Sequence, residues 1–199
     1  LFITVVPEIE MPGHSTAALQ AYPEFLCEID ANFDSIYKDY KIFCLSNEKT
    51  IQFFKYILSE MIEIFDSEYI HIGGDEVIST YWQKCPKCQK FMAENGIENT
   101  SQYQLWFTNQ ISNFLKEKGR KMIGWDEVLN ENLPLDNSIM VWQSEEQIES
   151  AVNLGHSVVL VPNQFLYFDH HQFIHYTKDP YSYFGFSCCT LRIVYEFNP

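Results

Sequence analysis

Residues 71–77 read HIGGDEV, and the reading of the chain starts there. The preceding run Tyr69–Ile72 reads as a short strand that ends in Gly73–Gly74. Neighbouring side chains of a regular strand point to opposite faces, so Asp75 and Glu76 can reach one pocket only if the strand ends or bulges there. The two glycines supply that backbone freedom and leave space for a ligand. Two carboxylates held close in a poorly solvated pocket do not ionise alike. One is pushed up and can serve as an acid while the other stays charged. The plainer alternative is a polar strand end with two solvated acids.

Working outward, strand and helix signals alternate. Phe2–Pro7 is an apolar, β-branched run that reads as a strand. Glu48–Phe65 is helical, with Ile51, Phe54, Leu58, Met61, Ile62 and Phe65 at three- and four-residue spacing. Ser101–Lys118 is helical again, and Gly119 is a fitting stop. Lys121–Trp125 and Ser138–Trp142 read as strands. Ser144 with Gln147 is a capping-box signature for a helix ending at Gly155, and His156–Val161 is a further strand. Buried strands alternating with helices imply an α/β fold with a parallel sheet. Five such strands fit an open doubly wound sheet or an incomplete (β/α)8 TIM barrel. The polar signatures all follow strand ends: Glu8–His14, Asp75–Glu76, Trp125–Glu127, Trp142–Gln143 and Tyr167–Asp169. Barrel enzymes carry their chemistry on that rim, which favours the barrel.

Composition narrows the function classes. The 199 residues are enough for one domain spanning 1–199, with no repeat or linker to divide it. A formal net charge of -14 argues against a nucleic-acid partner, because phosphate binding needs clustered Lys and Arg. No apolar stretch approaches the ~20 residues of a membrane span. The chain opens at Leu1 inside an apolar run, and is read as a piece of a longer protein.

Two further groups sit where chemistry is expected. In VPEIEMPGHSTA (residues 6–17), Pro7 and Pro12–Gly13 turn the chain after the first strand and present His14. Trp125, Trp142 and Tyr167 lie at or just beyond three different strands, placed to wall a sugar-sized pocket or to fill core. Asp169, two residues after Tyr167, shares its side of an extended segment.

PEIEMPGH, HIGGDEV, GWDE (124–127), VWQ (141–143) and YFDH (167–170) occur here in the order seen in family 20 of the glycoside hydrolases, and the chain resembles that family along essentially its whole length. WQKCPKCQ (82–89) and the closing LRIVYEFNP look like bacterial-type members. The resemblance implies a (β/α)8 barrel, here about strands three to seven. It also implies a retaining β-N-acetylhexosaminidase that needs no cofactor and acts on terminal β-linked N-acetylglucosamine or N-acetylgalactosamine of a glycan. The nucleophile is then the substrate's own acetamido oxygen, giving an oxazolinium intermediate. Carried over by residue, Glu76 resembles the general acid and base, and Asp75 the group that orients the acetamido N–H. Tyr167 resembles the holder of the acetamido oxygen, Trp125 and Trp142 the walls of the sugar site, Asp169 an acceptor for sugar hydroxyls, and His14 a partner of Glu76. Glu10 stands where Asp is commoner. The family's sugar-binding Arg, the acidic partner of its histidine and its late Trp and Glu have no counterpart in the chain.

Two other classes stay open: a non-catalytic sugar-binding module, and a retaining glycosidase whose nucleophile is Glu127 or Asp169. Of the six cysteines, Cys85 and Cys88 have metal-ligand spacing but no second CxxC, so no metal is expected. The resemblance suggests instead a Cys27–Cys44 disulfide, and with it a secreted, periplasmic or lysosomal location.

Overall fold

The computed structural model describes residues 2–29, 40–172 and 188–198. Four strands, β1 (Tyr69–His71), β2 (Lys121–Trp125), β3 (Ser138–Val141) and β4 (Ser157–Leu160), form one sheet in that order. Every pairing is parallel, with Ile70 beside Met122, Gly124 beside Ile139 and Ile139 beside Val158. Consecutive strands as neighbours, joined through helices, are the α/β arrangement the alternation implies.

The first expected strand needs correcting. Residues 2–6 form no strand, and Phe2, Ile3, Val5 and Val6 are exposed. A strand needs a ladder, and here the ladder starts later. Pro7 O accepts from His71 N at 2.9 Å, while Ile9 N and Met11 N donate to His71 O and Ile72 O, both at 3.0 Å. Residues 7–11 therefore run parallel along β1 and add a fifth extended segment to the sheet.

Eight helices are found among the described residues: α1 (Thr16–Ala21), α2 (Glu48–Ile64), α3 (Thr80–Lys84), α4 (Pro86–Glu94), α5 (Thr100–Glu117), α6 (Glu145–Leu154), α7 (Asn163–Leu166) and α8 (Leu191–Glu196). Of these, α5 packs on β2 and α6 on β3 and β4. The Asn47 side chain caps α2 by accepting from Lys49 N, and Asn99 caps α5 by accepting from Gln102 N. The apolar stripes of both meet, with Phe54 and Phe107 edge to face at 5.5 Å. Ile70, Ile72, Met122, Ile139 and Val141 complete this core from the sheet. Gly155 ends α6 in the left-handed region, as expected, but Ser144 makes no side-chain cap bond. Its hydroxyl serves the Glu146 carboxylate instead and lowers its pKa. No helix among the described residues is long and apolar enough to cross a membrane.

Candidate active site

β1 stops at His71, and the chain then turns through Gly73 (φ 68°), Gly74 (φ 97°) and Glu76 (φ 47°). The glycines are needed for different contacts. A Cβ on Gly73 would lie 1.9 Å from Glu10 Oε2, and one on Gly74 2.4 Å from Val128 Cγ1. His14 (φ 46°) and Glu76 are also in the left-handed region, which side chains other than glycine occupy at a cost of about 1–3 kcal/mol. The strain falls on two residues that meet. His14 Nε2 lies 3.3 Å from Asp75 Oδ2 and 3.2 Å from Glu76 Oε2, so one imidazole bridges both carboxylates. Asp75 is mostly buried, and its other oxygen, Oδ1, has no hydrogen-bond partner among the described residues. Glu76 stands open.

The turn that follows β2, residues Asp126–Val128, fixes the next wall. Glu127 Oε1 accepts from Gln143 Nε2 at 2.9 Å and from Glu76 N at 3.5 Å, while Oε2 accepts from Trp142 Nε1 at 3.1 Å. Burial pushes this carboxyl up to about 7. The neighbouring Asp126 accepts from Trp142 N and Gln143 N, and burial raises it too. Trp142 and Tyr167 stack nearly parallel, ring centres 6.3 Å apart. Burial, with the charge of Asp75 next, raises the Tyr167 phenol to about 12. Asp169 acts on Tyr167 through its charge as well. An open cavity of about 550 Å³ adjoins Glu76 and His14 on the other side, walled by Tyr40, Ile42, Ile78 and Thr80.

Beneath this rim lies a second acidic layer. Glu8 Oε1 accepts from Trp125 Nε1 at 3.0 Å and lies 3.2 Å from Nδ1 of buried His71, chiefly through which its pKa falls. Trp125 packs edge-on against that imidazole at 4.8 Å. Glu10, under Gly73, is pushed up to about 8, first by burial and then by the Asp75 charge. Neutral Glu10 keeps a second negative charge away from Asp75.

The structure thus gathers His14, Asp75, Glu76, Trp142 and Tyr167 on one rim, with Trp125 beside them through its bond to Glu8. From the sequence, Glu127 stands out only at a strand end and as an alternative nucleophile, and Glu10 only as a substitution. Their roles depend on proximity across strands. The usable signal was position: Glu127 follows a strand end, and Glu8 and Glu10 are two apart on an extended segment.

The model of "Glycosyl hydrolase family 20, catalytic domain" matches residues 1–199. The chain belongs to glycosyl hydrolase family 20. A β-hexosaminidase of Porphyromonas gingivalis is 35% identical over 206 residues, covering 100% of this chain and 26% of that protein. One from Vibrio furnissii is 37% identical over 171 residues, covering 84% and 28%. The chain therefore spans about a quarter of the length of these curated relatives. Among solved structures, the exo-β-N-acetylglucosaminidase of Vibrio harveyi in complex with N-acetylglucosamine superposes with a TM-score of 0.83 at 28% identity, over 99% of this chain and 31% of that one. The β-N-acetylhexosaminidase of Bacteroides fragilis gives 0.76 at 33%, over 92% and 37%.

The expected Cys27–Cys44 disulfide is not formed. All six cysteines are free. Cys27 and Cys44 instead join Cys85 and Cys88, with the four sulfurs within 4.8 Å of one another. Cys44 lies 3.6 Å and Cys27 3.9 Å from the Cys88 sulfur, far beyond the ~2.05 Å of a disulfide bond.

Proposed function

We propose that the protein carrying this chain hydrolyses terminal non-reducing β-linked N-acetylglucosamine or N-acetylgalactosamine residues with retention of configuration, by substrate-assisted catalysis. The sheet is a section of a (β/α)8 barrel, about strands three to seven, with the site on its C-terminal rim.

The observation that carries this reading is the His14 bridge. It holds Asp75 and Glu76 side by side through one oxygen of each and leaves buried Asp75 Oδ1 unpartnered. In the first step the acetamido oxygen attacks the anomeric carbon, and Glu76 gives its proton to the departing glycosidic oxygen. Asp75 Oδ1 accepts from the acetamido N–H and stabilises the positive charge that develops on it. The Tyr167 hydroxyl, kept protonated by burial, donates to the acetamido oxygen. In the second step Glu76 takes a proton from water, which attacks the same carbon and opens the oxazolinium ring. Trp125 and Trp142 wall the sugar and its methyl group, and Asp169 accepts from sugar hydroxyls.

Glu127 supports this division of labour. Both its oxygens are occupied, by the Trp142 indole on one side and the Gln143 amide and Glu76 N–H on the other. A protein nucleophile there would have to give up those bonds, so Glu127 acts as the brace of the sugar wall. The test compares aryl β-N-acetylglucosaminides with the matching β-glucosides in the full-length protein. The glucosides should be nearly inert, and a thiazoline mimic of the oxazolinium should inhibit strongly. Comparable hydrolysis of both sugars would overturn the reading.

A further inference from the structure

We propose that Cys27, Cys44, Cys85 and Cys88 form a structural zinc site, a tetrathiolate closed within the fold and separate from the catalytic rim. Zinc with four thiolates at ~2.3 Å in tetrahedral array requires sulfurs about 3.8 Å apart. The cluster has Cys44 and Cys27 at 3.6 and 3.9 Å from Cys88, and all four ligand atoms within 4.8 Å. Four thiols packed this closely have few partners but one another; Ser46 Oγ, at 3.1 Å from Cys44 and 3.6 Å from Cys88, is the hydroxyl at the edge.

The surrounding structure is built to hold the sulfurs still. Cys85 caps α4 without a side-chain cap bond, Pro86 opens the helix, and Cys88 sits in its first turn. The two thiolates thus meet the positive end of the helix, which favours their charged form. The segments bearing Cys27 and Cys44 are paired through Leu26 and Phe43, and Cys44 N donates to Phe25 O at 2.8 Å. Trp82 Nε1 in α3 donates to Phe43 O at 2.9 Å, fixing that pair against the α3–α4 corner. Cys85 and Cys88 are inaccessible to solvent, Cys44 nearly so, and Cys27 is 9% exposed.

Tyr103 borders the cluster. Its hydroxyl is fully buried and has no hydrogen-bond partner among the described residues. That hydroxyl lies within reach of the Cys88 sulfur. An O–H aimed at a thiolate is the outer-layer donor that metal-bound sulfur commonly has.

On binding, the four thiols lose their protons to solvent and the ion takes their place, so affinity rises with pH. A closed, four-coordinate site leaves no position for substrate, and its role is to tie the segment before α2 to the α3–α4 corner. With the thiols in this cluster, the cysteine argument for an oxidising compartment goes.

The test uses the full-length protein, purified without chelators. Elemental analysis should find about one zinc per chain. Titration with a mercurial should release that zinc to a colorimetric chelator in step with modification of four thiols. Cobalt(II) in its place should give the visible bands and near-ultraviolet charge transfer of a tetrahedral thiolate site. Cys85→Ser should lose the metal, and Cys85→His should retain it. If the serine variant does not fold, the mercurial titration of the unmodified protein decides. Zinc-free protein with four freely alkylatable thiols or with disulfides among these cysteines would overturn the proposal, as would iron bound in zinc's place. Zinc content is read independently of hexosaminidase activity.

Discussion

The acidic pair Asp75–Glu76 precedes α3 in the chain and Cys85 and Cys88 follow it, yet the two sites are opposite in construction. At the rim, His14 and Glu76 are strained and accessible, and a buried oxygen of Asp75 lacks a partner. In the cluster, four soft thiols converge within the hydrophobic core, their sulfurs within 4.8 Å of one another. A site that performs chemistry keeps valences open for what arrives; a site that holds the fold together closes them. Substitutions on the rim should therefore cost turnover with little change in stability, and those in the cluster the reverse.

The largest effect is expected at Glu76. Glu76→Gln in the full-length protein should lower turnover on β-N-acetylglucosaminides with unactivated leaving groups by roughly 10²- to 10⁴-fold. Its thermal midpoint should stay close to the parent's, since the side chain is exposed. A large loss of stability would erase the contrast between the two regions. Asp75→Asn should cost about 10²- to 10³-fold, the scale of removing one preorganised group facing developing charge, and should also weaken thiazoline inhibition. Undiminished inhibition would remove Asp75 from the acetamido contact.

Cys88→Ser sharpens the comparison from the other side. Loss of a metal ligand should destabilise by on the order of 4 kcal/mol, read as a lowered denaturation midpoint. Turnover at saturating substrate, measured well below that midpoint, should stay near the parent value. Smallest is a pH effect from the layer under the rim. Glu10 and Glu127 sit at about 8 and about 7 in the folded protein, above the ordinary 4.5. Between those values the native state holds more protons than the unfolded one, so their contribution makes stability fall as pH rises from about 5 to about 8. Denaturant midpoints across that range should show the slope, and Glu10→Gln should flatten it. An unchanged slope would show that Glu10 is already ionised at the low end.

Much of this was legible in the sequence because it is local. The HIGGDEV turn, the periodic stripes of α2 and α5 and the glycine stops follow from spacing alone. The strand expected over Phe2–Pro7 does not form over 2–6: its residues are strand formers, but pairing begins only at Pro7. Ser144 had the capping pattern, but its hydroxyl went to Glu146. The cysteine cluster was hidden for a different reason. Only Cys85 and Cys88 are neighbours in sequence; Cys27 and Cys44 come from a segment that folding alone brings to them. Glu127 and Glu10 likewise acquire their roles from side chains on other strands.

The central claim is that Glu76 protonates the leaving oxygen while the substrate's acetamido group attacks. It is tested most directly by assaying Glu76→Gln and the parent full-length enzyme on two β-N-acetylglucosaminides, one with an acidic phenol as leaving group and one with an unactivated alcohol. A phenol that departs without a proton makes the acid dispensable, so the variant should lose far less activity on the aryl substrate than on the alkyl one. An equal loss on both would contradict the assignment of Glu76 as the acid.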